Sequence, residues 1–266
     1  MFITRDHLRQ CGVTGNGQPT GLSLCMIVRD NASTLRPCLA SIRPWVDEMV
    51  VVDTGSTDET PSIAHEFGAQ IFHFPWCDDF SAARNESLRH ARGQWLFWMD
   101  SDDTIDPDNG RKLRDLACGP HPSGRTAYVM QVHCPAGNHD GPSGLTVVDH
   151  VKLFRNEPQI RFEFRIHEQV LPSIRRLGGD VAWTDIFVDH SGSDQTESGR
   201  RRKCERDLRI LGLELRDKPE HPFVLFNLGM TYSDMSEHER AIRYLTRCLE
   251  VSHRDESHVR KAYGLL

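Results

Sequence analysis

Four short apolar runs, LSLCMIV (Leu22–Val28), MVVVD (Met49–Asp53), AQIFHF (Ala69–Phe74) and WLFWM (Trp95–Met99), alternate with segments of helical patterning. Continuous apolar runs of this length suit strands buried on both faces, as in a parallel sheet. Between them, a helical pattern runs from about Leu35 to Val46. Ser56 and Glu59 have capping-box spacing, which predicts a second helix starting near Thr57 and ending near Gly68. FSAARNESLRHARG predicts a third, with Asp78 or Asp79 near its N-cap and Gly93 at its end. This alternation predicts an α/β fold, Rossmann-like, with a mostly parallel sheet and helices on both faces. Such sheets bind ligands beyond the carboxyl ends of their strands. Two of the predicted strands end there in aspartate, Asp53 and Asp100.

The second of these ends is FWMDSDDTID, residues 97–106. Asp100, Asp102 and Asp103 repel one another and raise each other's pKa. Either the cluster is a solvated turn and cap before Pro107, or a cation compensates it. Its place at a strand end favours the cation. Hard carboxylate oxygens suit Mg²⁺ or Mn²⁺, and such an ion can bridge to phosphates that carboxylates cannot bind directly. Asp103 is positioned to share this work. Asp53 precedes Thr54-Gly55-Ser56, where Gly55 permits a tight turn and close approach of backbone to a ligand. The alternative for Asp53 is an Asx-turn.

Further along, Tyr128–Cys134 and Val147–Phe154 are expected to pair as strands, and the loop 135–146 between them is long enough to act as a flap. FEFRIHEQV (Phe162–Val170) and WTDIFVDHSG (Trp183–Gly192) complete the first domain, 22–192, behind an irregular segment, 1–21. A polar linker, Ser191–Gly199, leads into an all-helical region, 200–266. Leu228, Gly229, Tyr232, Ala241 and Leu245 have tetratricopeptide (TPR) spacing. One unit is visible and a second begins near His258, so the array is expected to be cut short. The formal net charge of −6 gives no pull toward nucleic acid. Without an apolar run of about 18 residues or a signal-peptide core, a cytoplasmic protein is expected, at most peripheral at the inner membrane face. The eight cysteines form no CxxC pair and are expected to be reduced thiols, with Cys25, Cys38 and Cys248 on core faces.

LSLCMIVRDNASTLRPCLASI, VVDTGSTDET and DFSAARNESLRHARGQWLFWMDSDD, taken in order, resemble the family 2 glycosyltransferases of GT-A fold. The resemblance covers about residues 22–192. With the helical tail, the chain looks like the bacterial subgroup that carries TPR repeats. The resemblance implies a hexosyltransferase with a nucleotide-sugar donor (a UDP-sugar favoured), a divalent cofactor, Mn²⁺ or Mg²⁺, and inversion at the anomeric carbon. It implies metal ligation by Asp100, Asp102 and His190, with His190 favouring Mn²⁺. It implies donor contacts at Val28, Asp53, Gly55, Arg84, Asp100 and Ser101. An inverting enzyme needs one general base, and the resemblance points to Glu168, with His167 as neighbour or alternative. Relatives often have Lys-Asn-Glu where this chain has Arg29-Asp30-Asn31. Acceptors in the family include glycans, lipid-linked sugars and peptides, the TPR helices suggest a protein partner, and Arg200–Lys203 is either a solvated helix face or a weak lipid contact. Two other readings are a TPR scaffold that binds nucleotide without turnover and a nucleotidyltransferase, which would show a Gly-rich basic loop after the first strand.

Overall fold

The computed structural model describes residues 21–119, 126–135, 145–192 and 196–266. They fall into two compact units. The first runs through to Cys77 and continues as Ser81–Glu163 and Glu168–Gly192. The second comprises Asp78–Phe80, Phe164–His167 and Ser193–Leu266. The expected flap is largely outside the described residues, as is the segment 1–20.

The first unit is built on an eight-stranded mixed sheet. Strands β1 (Leu22–Val28), β2 (Glu48–Asp53), β3 (Gln70–His73) and β4 (Trp95–Trp98) lie in the order β3-β2-β1-β4 and are all parallel. Next come β7 (Leu145–Arg155), antiparallel to β4, and β6 (Thr126–Pro135), antiparallel to β7. β8 (Asp180–His190) runs parallel to β6, and the two-residue β5 (Asp103–Thr104) is antiparallel to β8 at the far edge.

The strands alternate their side chains between two apolar clusters. Leu22, Leu24, Met26, Met49, Val51, Trp95 and Phe97 enter one, while Cys25, Val50, Leu96 and Trp98 enter the other. That is why the runs are apolar without alternation: both faces are covered. Helix α1 (Ala32–Ile42) covers the first face through Leu35, Cys38, Leu39 and Ile42. Helix α3 (Phe80–His90) and the residue after it cover the second through Leu88 and Ala91. Each large side chain removed from water here contributes roughly 2 kcal/mol.

Helix α2 is Thr60–Glu66, three residues later than the capping-box spacing predicts. The residues expected to start it are used elsewhere. Ser56 Oγ accepts from the Asp30 N–H (3.0 Å), Asp58 accepts from the Ala32 N–H (3.0 Å), and the Thr57 N–H donates to Asp30 (2.7 Å). The turns after β1 and β2 are thus laced together, and Asp58 caps α1 from another loop. Asp30 takes φ 51°, the left-handed conformation that Asp tolerates. Its acid serves this lacing. FEFRIHEQV forms neither strand nor helix. Glu163 and Gln169 bridge, and Phe164 and His167 between them sit at φ 71° and 55°. Helix α4 (Pro107–Cys118) is capped by Asp106, which accepts from the Asp108 and Asn109 N–H groups, and the short α5 (Leu171–Arg176) follows the Gln169 bridge. Cys118 is disulfide-bonded, so the expectation of reduced thiols fails there. Cys25, Cys38 and Cys248 are free and buried.

The second unit holds α6 (Glu197–Asp217), α7 (Pro222–Asp234), α8 (His238–Val251) and α9 (Ser257–Leu265). Thr196 caps α6 through the Gly199 N–H (3.1 Å). Phe164–His167 groups with this unit because Arg165 is anchored there. Its N–H donates to Glu214 (2.7 Å), and its guanidinium pairs with Asp217 (3.0 Å) and Asp79 (3.7 Å). A linear boundary near 192 does not anticipate this. Leu225, Leu245, Cys248 and Ala262 form the core between helices. At Gly229 a Cβ would lie 2.6 Å from Leu245 Cγ and 3.2 Å from its backbone nitrogen. Gly229→Ala is therefore expected to destabilise the helical unit by about 1–3 kcal/mol through overpacking, read as a lower midpoint in urea. An unchanged midpoint would mean that α7 and α8 are not in close contact. Among the described residues, no helix is long and apolar enough to cross a membrane.

Candidate active site

The carboxyl ends of the parallel strands gather the predicted residues, and each end has its own chemistry. At β2, the Asp53 carboxylate is 4% exposed and accepts from the Ser56 N–H (3.1 Å) and, at longer range, the Gly55 N–H (3.4 Å). Its Oδ2 lies 3.4 Å from Nδ1 of His73, its neighbour on β3. This is the Asx-turn. Gly55 takes φ 110°, where any side chain would be strained. The Val28 carbonyl accepts from both the N–H (3.0 Å) and Oγ1 (3.1 Å) of Thr54, so both of its lone pairs are used.

At β4 the chain passes into Asp100, Ser101, Asp102 and Asp103, and the three acids differ in environment. The Asp100 side chain is 40% exposed and accepts from Arg84 Nη2 at 2.6 Å. Asp102 is less exposed, and its pKa is raised. Burial is the main cause, and repulsion from Asp100 and Asp103 adds to it against the pull of His190. Asp103 is fully buried. It accepts from Lys152 Nζ (2.9 Å), from the Asp100 N–H (3.1 Å) and from His190 Nδ1 (2.9 Å). Burial pushes its pKa up, but Lys152 and His190 outweigh that and hold it well below the usual carboxylate range. Asp103 thus neutralises Lys152 and orients His190, while its Oδ1, with one bond, keeps a lone pair.

His190 is placed by the edge pairing, in which Asp103 lies opposite His190 and the Ser191 N–H donates to the Asp102 carbonyl (3.0 Å). Its Nδ1 is 3.5 Å from Asp102 and 2.9 Å from Asp103. With Nδ1–H donating to Asp103, Nε2 remains for a cation, which is how a carboxylate fixes the tautomer of a ligating histidine. Ligand atoms of Asp100, Asp103 and His190 all lie within 4.8 Å of one another.

Arg84 joins this group to Glu168. It is buried, donates through Nε to Glu168 Oε1 (2.5 Å) and through Nη2 to Asp100, and lies 4.2 Å from the centroid of Trp98. Its guanidinium is held firmly protonated. Burial opposes this, but the two carboxylates prevail. Among the described residues, buried Arg84 Nη1 has no hydrogen-bond partner. Glu168 is held on the first unit, whereas His167 groups with the second, so the two predicted catalytic residues separate between units. Ser101 is buried between the aspartates.

Sequence reasoning missed Lys152 and Trp98. Lys152 Nζ lies 4.1 Å from the Trp98 centroid, and His150 stands edge-on to the same ring at 5.6 Å. Burial, reinforced by Lys152, lowers the His150 pKa to about 4, so this ring is neutral at pH 7. Lys152 had a signal, a lone cation in the apolar run VKLF; a lysine there is buried only when paired. Across the site, the carboxylates of Asp100, Asp102, Asp103 and Glu168 face Arg84 and Lys152. Two negative charges remain, which a divalent cation would balance. The donor set left for one, aspartate oxygens with one imidazole nitrogen, suits Mn²⁺.

Residues 23–131 match the family model described as glycosyl transferase family 2. A TPR repeat-containing protein of Synechococcus elongatus is 36% identical over 235 residues, covering 86% of this chain and 56% of the relative. The SPbeta prophage-derived glycosyltransferase SunS of Bacillus subtilis is 26% identical over 227 residues, covering 84% of this chain and 52% of that protein. The chain thus spans about half the length of these relatives. In fold it is similar to S. aureus TarS, crystallised with UDP-GlcNAc, at a TM-score of 0.54 and 15% identity over 92% of this chain and 84% of that one. The strand order, the aspartate-rich strand end and these likenesses together identify the chain as carrying a family 2 glycosyltransferase domain of GT-A fold, with an all-helical region behind it.

Proposed function

We propose that the chain is a metal-dependent, inverting glycosyltransferase that moves a sugar from a UDP-sugar to an acceptor hydroxyl. The observation that carries this is the cluster of Asp100, Asp103 and His190, whose ligand atoms lie within 4.8 Å of one another, with Asp102 3.5 Å from His190 Nδ1, in a site where the carboxylates outnumber Arg84 and Lys152. Mn²⁺ or Mg²⁺ held there by Asp100, Asp102 and His190 would supply charge neutralisation for the departing nucleoside diphosphate. UDP is favoured because TarS, of similar fold, binds UDP-GlcNAc.

The chain's own residues supply the rest. Asp53 and Gly55 shape the turn that takes the nucleoside, and Val28 fixes that turn through Thr54. Ser101 holds the backbone between Asp100 and Asp102. Arg84 keeps Asp100 and Glu168 on either side of one guanidinium and is assigned to the donor's phosphate side. Glu168 Oε accepts the acceptor's hydroxyl proton as the oxygen attacks the anomeric carbon from the face opposite the diphosphate. His167 is assigned an acceptor-side role. The acceptor class proposed is a glycan, lipid-linked sugar or peptide in bacterial envelope or glycoconjugate synthesis on the cytoplasmic side, and the helical unit is assigned to hold it or a protein partner.

The test is release of nucleoside diphosphate from a panel of UDP-, GDP-, CDP- and dTDP-sugars with Mn²⁺, followed by the anomeric configuration of the product. UDP-sugar turnover that EDTA stops is expected. No turnover with any nucleotide sugar, even with extracts supplying acceptors, would leave a nucleotide-binding scaffold.

A further inference from the structure

Lys152 is the most unusual charged residue in the chain. Its side chain is fully buried on β7 and pairs with an equally buried Asp103. No step of the proposed reaction uses it. Asp103 belongs by distance to the group of side chains able to hold a metal, together with Asp100 and His190. Its bonds compete with that role, because Lys152 and the Asp100 N–H take Oδ2 and His190 takes one lone pair of Oδ1.

We propose that Lys152 is a built-in counter-cation that withholds Asp103 from the metal. This rests on the metal reading given above. With Lys152 present, the cation finds Asp100, Asp102 and His190, and the site keeps coordination positions and positive potential for the diphosphate. Without Lys152, a third carboxylate is freed a few ångströms away and one positive charge disappears. The cation alone would then bind more tightly, and the nucleotide would gain less from it. Lys152 is therefore a positioning residue that makes metal binding depend on the donor.

A role only in folding predicts the opposite sign, since loosening a buried pair should weaken or spare the metal site. The test is titration of Mn²⁺ into the full chain, following free Mn²⁺ by electron paramagnetic resonance, with and without UDP. Lys152→Met is expected to bind Mn²⁺ alone roughly tenfold or more tightly than wild type, the scale of one close charge removed from a partly dry site. It should also lose most of the enhancement by UDP. The double variant Lys152→Met with Asp103→Asn should return toward wild-type behaviour, because the amide oxygen that replaces the carboxylate can still accept from His190 while no freed carboxylate remains. Folded Lys152→Met that binds Mn²⁺ no more tightly than wild type would overturn the inference and leave the metal reading intact. If the single variant does not fold, the double variant decides. Mn²⁺ binding by it well below wild type would make Asp103 a ligand in the native site and overturn the inference. Wild type that binds no Mn²⁺, with or without UDP, would overturn both.

Discussion

Asp102→Ala is expected to reduce sugar transfer roughly a thousandfold or more, the scale of about 4 kcal/mol of lost charge stabilisation, without lowering the thermal midpoint. The two halves of this result have separate causes. Asp102 is one of the two proposed metal carboxylates, and among the described residues the Arg and Lys of the site pair with its neighbours, Arg84 with Asp100 and Lys152 with Asp103. Its carboxylate is also held in an unfavourable place, because burial and its two acidic neighbours raise its pKa. A carboxylate whose folded pKa is raised costs stability once both states are ionised, and that cost fades as pH falls through the folded pKa. Removing Asp102 should therefore leave the metal-free midpoint at pH 7 unchanged or higher. A variant that transfers sugar normally would remove Asp102 from the metal site. One that fails by unfolding would show that the residue is structural.

Arg84→Met is expected to be the most destabilising single change at the site, costing about 3 kcal/mol in urea unfolding. The guanidinium is 7% exposed and serves two carboxylates, so removing it leaves Asp100 and Glu168 facing each other without a cation. Methionine keeps the stem against Trp98 but brings no charge. Glu168→Gln should cost far less stability, because Arg84 keeps Asp100 and the glutamine amide oxygen can still accept from the guanidinium, yet it should abolish transfer by removing the base. If Arg84→Met were as stable as wild type, the network linking the metal carboxylate to the base would not exist in solution.

The sheet was legible because its physics is local. A strand covered on both faces must be apolar throughout, so LSLCMIV names β1 to the residue, and MVVVD misses β2 by one. The aspartates were legible as strand ends for the same reason, since Asp53 closes β2 and Asp100 follows β4. What failed depended on contacts between distant segments. Ser56 and Glu59 satisfy the spacing of a capping box, but Asp30, 26 residues before Ser56, competes for the serine hydroxyl through its N–H, and the helix starts later. Asp100, Asp102 and Asp103 are alike in sequence. Arg84, 16 residues before Asp100, and Lys152, 49 residues after Asp103, give them different environments. The pairing of β5 with β8 places His190, yet β5 is two residues long and has no periodicity to read. The turn from Phe164 to His167 uses left-handed residues without glycine, which conceals it from sequence rules.

The central claim is that the DSDD strand end holds a cation that in turn holds a nucleoside diphosphate. The most direct measurement is the thermal midpoint of the full chain with UDP, GDP, CDP and dTDP, each with Mn²⁺ and with EDTA. A ligand that binds only the folded state adds about 2.7 kcal/mol at a hundredfold excess over Kd, a shift of several degrees. A clear upward shift is expected with UDP and Mn²⁺ together and little with either alone. No shift with any nucleotide, or an equal shift with UDP in EDTA, would contradict it.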